Sequence, residues 1–269
     1  MKLIHLTDLH IVAPGEALFT LDPAERLRRV IERINLDHSD AELCVITGDL
    51  TDKGLPAAYG LLRELLQELR VPYRLLVGNH DDRQNFVQAF PEQDRDERGF
   101  IQSVYDCAEG RLIFLDTLVQ SHGYGALTDG RLEWLSARLA ETPQPAAFLF
   151  AHHPLQSIGM PHFEPYDLLD RVAVANVLAA SSQIRHIFCG HVHVDVSGSW
   201  LDVPFSASRG VAHQIVPDLV SRDAVFIKDA PAFDVALIQN GNVLLHRFRL
   251  GEREIIGGWP KNPVLEPVQ

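Results

Sequence analysis

The chain of 269 residues, 46% hydrophobic and 22% charged, has the make-up of one large soluble domain and excludes a disordered, collagen-like or disulfide-scaffolded protein. Its formal net charge of −12 argues against a broad nucleic-acid footprint, which needs Lys and Arg set against phosphates. No apolar run approaches the roughly 20 residues of a membrane-spanning helix, so neither a nucleic-acid polymer nor a membrane is expected as a partner.

Leu3–Thr7 reads as a short strand. Because Met1–His10 carries His5, Asp8 and His10 where a signal peptide needs an apolar core, a mature cytoplasmic start is expected. Asp22-Pro23-Ala24-Glu25 then opens a helix, with Asp22 as N-cap, Pro23 in the first helical position and Glu25 closing a capping box. Leu27, Val30, Ile31 and Ile34 follow at helical spacing. Leu43–Thr47 is nearly all apolar, as in a strand covered on both faces. Ala57–Leu69 predicts a second amphipathic helix and Arg74–Val77 a third strand. Phe148–Ala151 and His186–Cys189 repeat the short apolar run, and Asp129–Leu139 and Leu168–Ala180 predict further helices. Strands alternating with helices imply βαβ units and a layered α/β sheet. Beyond them, Val194–Val216, Phe233–Gln239 and Val243–Leu250 read as strands, with Asn240-Gly241 as a hairpin turn and Gly257–Gln269 as an irregular tail. Cys44, Cys107 and Cys189 sit in apolar strand-like runs and read as reduced, buried thiols, in keeping with a cytoplasmic location.

Five polar clusters follow apolar strand-like runs: Asp8-x-His10, Gly48-Asp49, Gly78-Asn79-His80-Asp81, His152-His153 and Gly190-His191-x-His193. Ligands of open α/β sheets gather beyond the carboxyl ends of the strands, so five such loops can converge on one point. Taken singly, each has a plain reading as a turn, a hydrogen-bonded Asp–His pair or solvated histidines. Taken together they supply carboxylate, amide oxygen and imidazole without cysteine, a donor set suited to Mn, Fe, Co or Zn ions. Seven candidate ligands exceed one tetrahedral site and fit two ions sharing a carboxylate.

In this order, the clusters resemble the motif set of the calcineurin-like metallophosphoesterase superfamily, and are similar in particular to class III cyclic nucleotide phosphodiesterases and bacterial glycerophosphodiesterases. The resemblance runs from residue 3 to about 215, with Val211-Ala212-His213-Gln214 also similar to the glycerophosphodiesterase branch. It implies a four-layer α/β/β/α sandwich, with residues 1–215 as the catalytic core. Residues 216–269 would then complete the same domain or form a small cap. It implies one metal held by Asp8, His10, Asp49 and His193 and a second held by Asp49, Asn79, His152 and His191, Asp49 bridging. His80 would stand beside the metals as the catalytic, substrate-touching residue, and His213 would bind substrate. The tyrosine ligand of purple acid phosphatases has no counterpart in Gly48-Asp49-Leu50-Thr51, and Asp81 stands where protein phosphatases would have Arg.

The implied activity is hydrolysis of a small phosphodiester, of cyclic nucleotide or glycerophosphodiester type, by hydroxide generated between two divalent ions. Neutral histidines and Asn79 leave such a centre net positive, so an acidic protein can still draw in one phosphodiester anion. Asp81 reads either as a residue orienting the site or as a turn residue bonded to its own backbone. Specificity would lie in the loops Ile11–Leu21, Gln120–Leu127, Gln156–Tyr166 and Ser208–Val216, with His122, His162, His213, Phe19, Tyr124 and Phe163 as candidates. The alternative is a phosphomonoesterase on the same core, which would need added cations at the mouth. Arg83 and Arg209 are the candidates for that role. A homo-oligomer is expected.

Overall fold

The computed structural model describes residues 1–128, 130–141 and 146–251. The tail expected to be irregular at 257–269, and Asp129 at the head of the third expected helix, lie outside the described residues.

One sheet has the order β13-β12-β1-β2-β3, formed by Asn242–Arg249, Ala232–Gln239, Lys2–Leu6, Leu43–Thr47 and Tyr73–Leu76. β1, β2 and β3 are parallel, while β12 runs antiparallel along β1 with Lys2 opposite Leu237 and His5 opposite Asp234. The second sheet has the order β4-β5-β6-β7-β9-β8: Ser103–Cys107, Gly110–Leu115, Ala147–Ala151, Ile184–Cys189, Val203–Ala207 and Val196–Trp200. Its four central strands, β5, β6, β7 and β9, are mutually parallel, with antiparallel strands at both edges. A short pair, β10 (Gln214–Ile215) and β11 (Phe226–Ile227), stands apart from both sheets.

The period-two pattern of the strands builds the layers. Leu3, Leu43, Val45, Leu76, Ala236 and Ile238 point from the first sheet into one central layer, where they meet Leu112, Phe114, Phe148, Phe150 and Phe188 of the second. The rings of Phe150 and Phe188 stack there at 4.6 Å. The intervening residues face outward. Ile4, Leu6, Cys44, Ile46 and Leu75 pack against α1 (Pro23–Asp37), α2 (Pro56–Leu66) and α3 (Arg83–Ala89). Ile113, Leu115, Leu149, Ala151 and Ile187 pack against α4 (Arg131–Ala140) and α5 (Arg171–Ala179). The order is therefore helices, sheet, sheet, helices, the four-layer sandwich that the resemblance implies. β12 and β13 extend the first sheet.

Local signals account for the element ends. Asp22 caps α1 by accepting from the Glu25 amide, and Pro23 takes the first turn, where it removes no intrahelical bond. The Glu25 carboxylate accepts instead from Arg28, so the expected reciprocal capping box does not form. Asn240-Gly241 turns β12 into β13, both residues with φ above 50°. Among the described residues no helix is long and apolar enough to cross a membrane.

Candidate metal centre

All five polar clusters leave the carboxyl ends of parallel strands: Asp8 and His10 after β1, Asp49 after β2, Asn79 and His80 after β3, His152 after β6, and His191 and His193 after β7. The fold therefore carries segments almost two hundred residues apart to one rim.

The backbone at this rim is bent in a way that sequence propensity would not choose. Asp8, His10, Asp49, His191 and His193 all have φ between 44° and 72°, the left-handed region that costs non-glycine residues of order 1 kcal/mol or more. Tertiary contacts hold them there. The Asp8 amide donates to the Gly48 carbonyl at 3.1 Å, the His10 amide to the Asp49 carbonyl at 2.9 Å, and the His191 amide to Asp8 Oδ2 at 3.0 Å. Gly48 permits the crowding: a Cβ there would lie 2.7 Å from the Gly78 nitrogen and 2.8 Å from His152 Nδ1.

The side chains converge in two groups. Asp8, His10, Asp49 and His193 bring one donor atom each to within 4.8 Å of one another, all buried. In this group His193 Nε2 lies 3.3 Å from Asp8 Oδ1, and His10 Nε2 lies 3.2 Å from His193 Nε2 and 3.5 Å from Asp49 Oδ2. The second group turns to the other oxygen of Asp49. His152 Nε2 is 3.4 Å from Asp49 Oδ1 and 3.0 Å from Asn79 Oδ1, and the His191 ring lies 5.1 Å from that of His152. Asp49 thus faces both groups, one oxygen to each.

Partners outside the groups fix the tautomers. His152 Nδ1 donates to the Thr47 carbonyl at 2.8 Å and His193 Nδ1 to the His213 carbonyl at 2.8 Å, leaving each Nε2 lone pair turned inward. The lone pair of His152 Nε2 consequently faces a carboxylate oxygen and an amide oxygen, an arrangement satisfied only by a proton or a cation. Two further atoms, Asp8 Oδ1 and His191 Nε2, are buried without a hydrogen-bond partner. Orphaned acceptors converging on one point are what a cation repairs.

The electrostatics agree. Burial disfavours charge on His152, but the Asp49 carboxylate outweighs it and lifts the imidazole to about 9. Burial would likewise raise the Asp49 carboxyl, yet His152, His80 and His10 hold it well below the usual carboxylate range. For His191, with no carboxylate so close, burial dominates and the ring falls to about 3, an imidazole that stays neutral. His153 lies against the second group, its donor atom within 4.8 Å of those of His152 and His191, but Nδ1 lies 2.8 Å from the Thr117 hydroxyl and Nε2 donates to the Gly123 carbonyl at 3.2 Å, so both of its ring nitrogens are already engaged.

His80 lies at the rim with its side chain 42% exposed. Its amide donates to Asp49 Oδ1 at 2.9 Å and its Nδ1 to the Asp52 carbonyl at 2.8 Å, which leaves Nε2 free. His213 is buried, stacked on His193 at a ring distance of 4.2 Å. A cavity of about 580 Å³ opens over both groups. Of the loop candidates, Phe19, His162, Phe163 and His213 line it. His122 and Tyr124 are not among its lining residues and pack on each other at 4.8 Å.

Asp52 escaped the sequence reading. Its Oδ1 lies 3.5 Å from His10 Nδ1 and its carbonyl holds His80, so it orients one residue of each kind. The spacing Asp49-x-x-Asp52 was the available signal, although a second acidic residue in a turn is common without such a role. Asp81 does not touch the His80 ring; it binds the backbone of the Asp49 loop, with Leu50 N at 3.0 Å and Thr51 N at 3.1 Å.

Residues 1–195 match the family model described as calcineurin-like phosphoesterase. The chain is 36% identical to a probable cyclic nucleotide phosphodiesterase of Rhodopseudomonas palustris, over 92% of each chain. It is 30% identical to a probable glycerophosphodiester phosphodiesterase of Arcobacter nitrofigilis, over 86% of each. In fold it is similar to a dimetal phosphatase from Danio rerio, with a TM-score of 0.67 at 14% identity, covering 88% of this chain and 92% of that one.

Proposed function

Since the chain belongs to the calcineurin-like phosphoesterase family, we propose that it is a dinuclear metal-dependent phosphodiesterase acting on small phosphodiesters, of the cyclic nucleotide or glycerophosphodiester type named for its relatives. The observation that carries this reading is Asp49, each of whose oxygens faces a separate set of inward-turned donors. Asp8, His10, Asp49 and His193 would hold one divalent ion. Asp49, Asn79, His152 and His191 would hold the other. The oxygen and imidazole donors favour Mn, Fe, Co or Zn. When bound, such ions act as Lewis acids on a phosphoryl oxygen and acidify water.

The protein's own residues do the rest. The carbonyls of Thr47 and His213 keep His152 and His193 in the tautomer that turns a lone pair inward, and the Asp52 carboxylate, 3.5 Å from His10 Nδ1, favours a proton on that nitrogen. Asn79 contributes an oxygen without adding negative charge, so the site stays attractive to an anion. Burial disfavours charge on His80, but the Asp49 carboxylate and the Asp52 carbonyl raise its pKa above the ordinary value. In the protonated form Nδ1–H donates to the Asp52 carbonyl and Nε2–H can hydrogen-bond a phosphoryl oxygen or pass its proton to the departing alkoxide, leaving the neutral ring. We expect His80→Ala to keep its metal content by elemental analysis and to lose about 10²–10⁴-fold in kcat, the usual size of acid–base assistance. Loss of metal would make His80 a ligand, and unchanged turnover a bystander.

The cations at the mouth favour diesters. Arg83 makes a two-pronged bond to Asp116 at 2.8 and 2.9 Å, and Arg209 is paired with Asp229; neither lines the cavity. Arg222, at its edge, is the one Lys or Arg among the described lining residues, and it pairs with Glu164 at 3.1 Å. A dianionic monoester would find little added charge there. The test compares bis(p-nitrophenyl) phosphate with p-nitrophenyl phosphate on metal-loaded protein. A higher kcat/KM for the diester is expected, and a strong monoester preference overturns the reading.

Residues 216–251 belong in this reading to the same unit as the core, because β12 pairs along β1. The net charge of −12 supports a small ester over a nucleic-acid polymer. Cys44, Cys107 and Cys189 are all free thiols, which supports a cytoplasmic setting. The exposed apolar residues Leu219, Val220 and Val225 support a homo-oligomer.

A further inference from the structure

The cavity has two ends of different chemistry. The inner end is the histidine and carboxylate cluster. The outer end is aromatic, and three residues there carry features that the metal centre does not explain.

Phe19 is 65% exposed and sits at φ 54°, a backbone conformation that a bulky side chain rarely adopts. Phe226, on the two-residue strand β11, is 51% exposed. Their rings lie 5.6 Å apart, and they stand 5.6 and 5.3 Å from the ring of His213, which itself stacks on His193. A continuous series of rings thus runs from the proposed metal site out to the mouth. Nothing in the fold needs it, since neither phenylalanine is in the core. An exposed aromatic pair beside a cavity, one member of it at a strained backbone position, marks a place where a ligand covers it.

The third residue is His162, on the 3₁₀ turn Pro161–Tyr166 that forms another part of the wall. It is 5% exposed, and neither Nδ1 nor Nε2 has a hydrogen-bond partner. A neutral imidazole carries one donor and one acceptor, and a buried ring with both unused is rare unless something else supplies the partners. His153 has both nitrogens satisfied; His38, packed between Phe233 and Phe248, has neither, and His162 differs from it in lining the cavity.

We propose that Phe19, Phe226 and His162 form a subsite for one arm of the ester, selecting a planar aromatic group with a hydrogen-bonding edge, such as a purine or pyrimidine, over an aliphatic polyol. The inference rests on the phosphodiesterase reading and decides between its two substrate types. The rings stack on the face of the planar arm and exclude water, while His162 pairs with polar atoms at its edge.

The test uses the full-length, metal-loaded protein. Steady-state kinetics compare a purine 3′,5′-cyclic nucleotide, diphenyl phosphate and glycerophosphoethanolamine in wild type, Phe19→Ala, Phe226→Ala and His162→Leu. Calorimetry with a non-hydrolysable cyclic purine phosphorothioate gives Kd independently of turnover. Phe19→Ala and Phe226→Ala should each lower the cyclic nucleotide to glycerophosphoethanolamine ratio of kcat/KM about tenfold, through KM, and weaken the analogue about tenfold. They should lower the diphenyl phosphate ratio as well. His162→Leu should lower the ratio for the nucleotide but not for diphenyl phosphate, which offers no matching edge. Equal losses on all three esters, or an unchanged Kd for the analogue in all three variants, would overturn the subsite. If wild type hydrolyses none of the esters, the phosphodiesterase reading falls, and the Kd values still judge the subsite.

Discussion

Asp49→Asn should remove both metal ions and lower kcat/KM by on the order of 10³-fold or more. The size follows from what the ions are asked to do. Charge stabilisation by bound cations contributes several kcal/mol to phosphoryl transfer, and each 1.4 kcal/mol is about a factor of ten. Every other proposed ligand serves one group of donors, whereas Asp49 offers Oδ2 to the group of His10 and Oδ1 to the group of His152. The substitution keeps the shape of the side chain and the acceptor for the His80 amide, which lies 2.9 Å from Oδ1. It removes the charge and puts an NH₂ where one ion should sit. A backbone collapse is therefore not the expected cause of the loss. Elemental analysis and diesterase assays, with circular dichroism as the control for folding, check it. Retention of two ions with turnover within tenfold of wild type would show that Asp49 does not bridge.

Much of this centre was legible in the sequence because its parts sit where strand periodicity stops. Leu43–Thr47 is a nearly all-apolar run that matches β2 residue for residue, and Gly48-Asp49 follows where the strand must end. The same rule located β6 ahead of His152 and β7 ahead of His191. What periodicity could not give is the path between distant segments. That Asp8 and His191 meet through a hydrogen bond of 3.0 Å across 183 positions depends on β1 and β7, central strands of the two packed sheets, ending at the same rim. The β4–β5 hairpin was passed over although Gly110–Leu115 is fully buried. Ser103–Cys107, at the sheet edge and half exposed, has no clean alternation to announce it. α3, only seven residues long, lacks an apolar stripe long enough to read, and Phe86 alone anchors it. The left-handed backbone at Asp8, His10, Asp49, His191 and His193 was hidden for a different reason. Local propensity disfavours it, and only tertiary hydrogen bonds impose it.

Asp81→Ala is the change expected to cost most stability near the site, about 4 kcal/mol or more, and to weaken metal binding about 10–100-fold without removing a ligand. Asp81 is buried and collects donors from three segments. Oδ2 accepts from Leu50 N at 3.0 Å and Gly78 N at 2.9 Å. Oδ1 accepts from Thr51 N at 3.1 Å and from the Tyr59 hydroxyl at 2.9 Å. These bonds tie the loop bearing Asp49 to the loop bearing Asn79 and to α2, so one carboxylate sets the spacing between the two proposed halves of the centre. Alanine would leave the amides of Leu50, Thr51 and Gly78 and the Thr51 hydroxyl without this acceptor, each worth roughly 1–3 kcal/mol before relaxation, while the Tyr59 hydroxyl keeps the Asp82 carbonyl at 3.4 Å. Burial and the neighbouring Asp49 charge push the Asp81 carboxyl up to about 6, and cations bound at Asp49 would offset the second of these effects. The stability cost of Asp81→Ala should therefore be larger in metal-loaded than in metal-free protein. Thermal unfolding of both forms, with manganese titration by calorimetry, measures the two effects together. A loss of stability with unaltered metal affinity would reduce Asp81 to a turn residue, and no loss of either would show that backbone and water replace it.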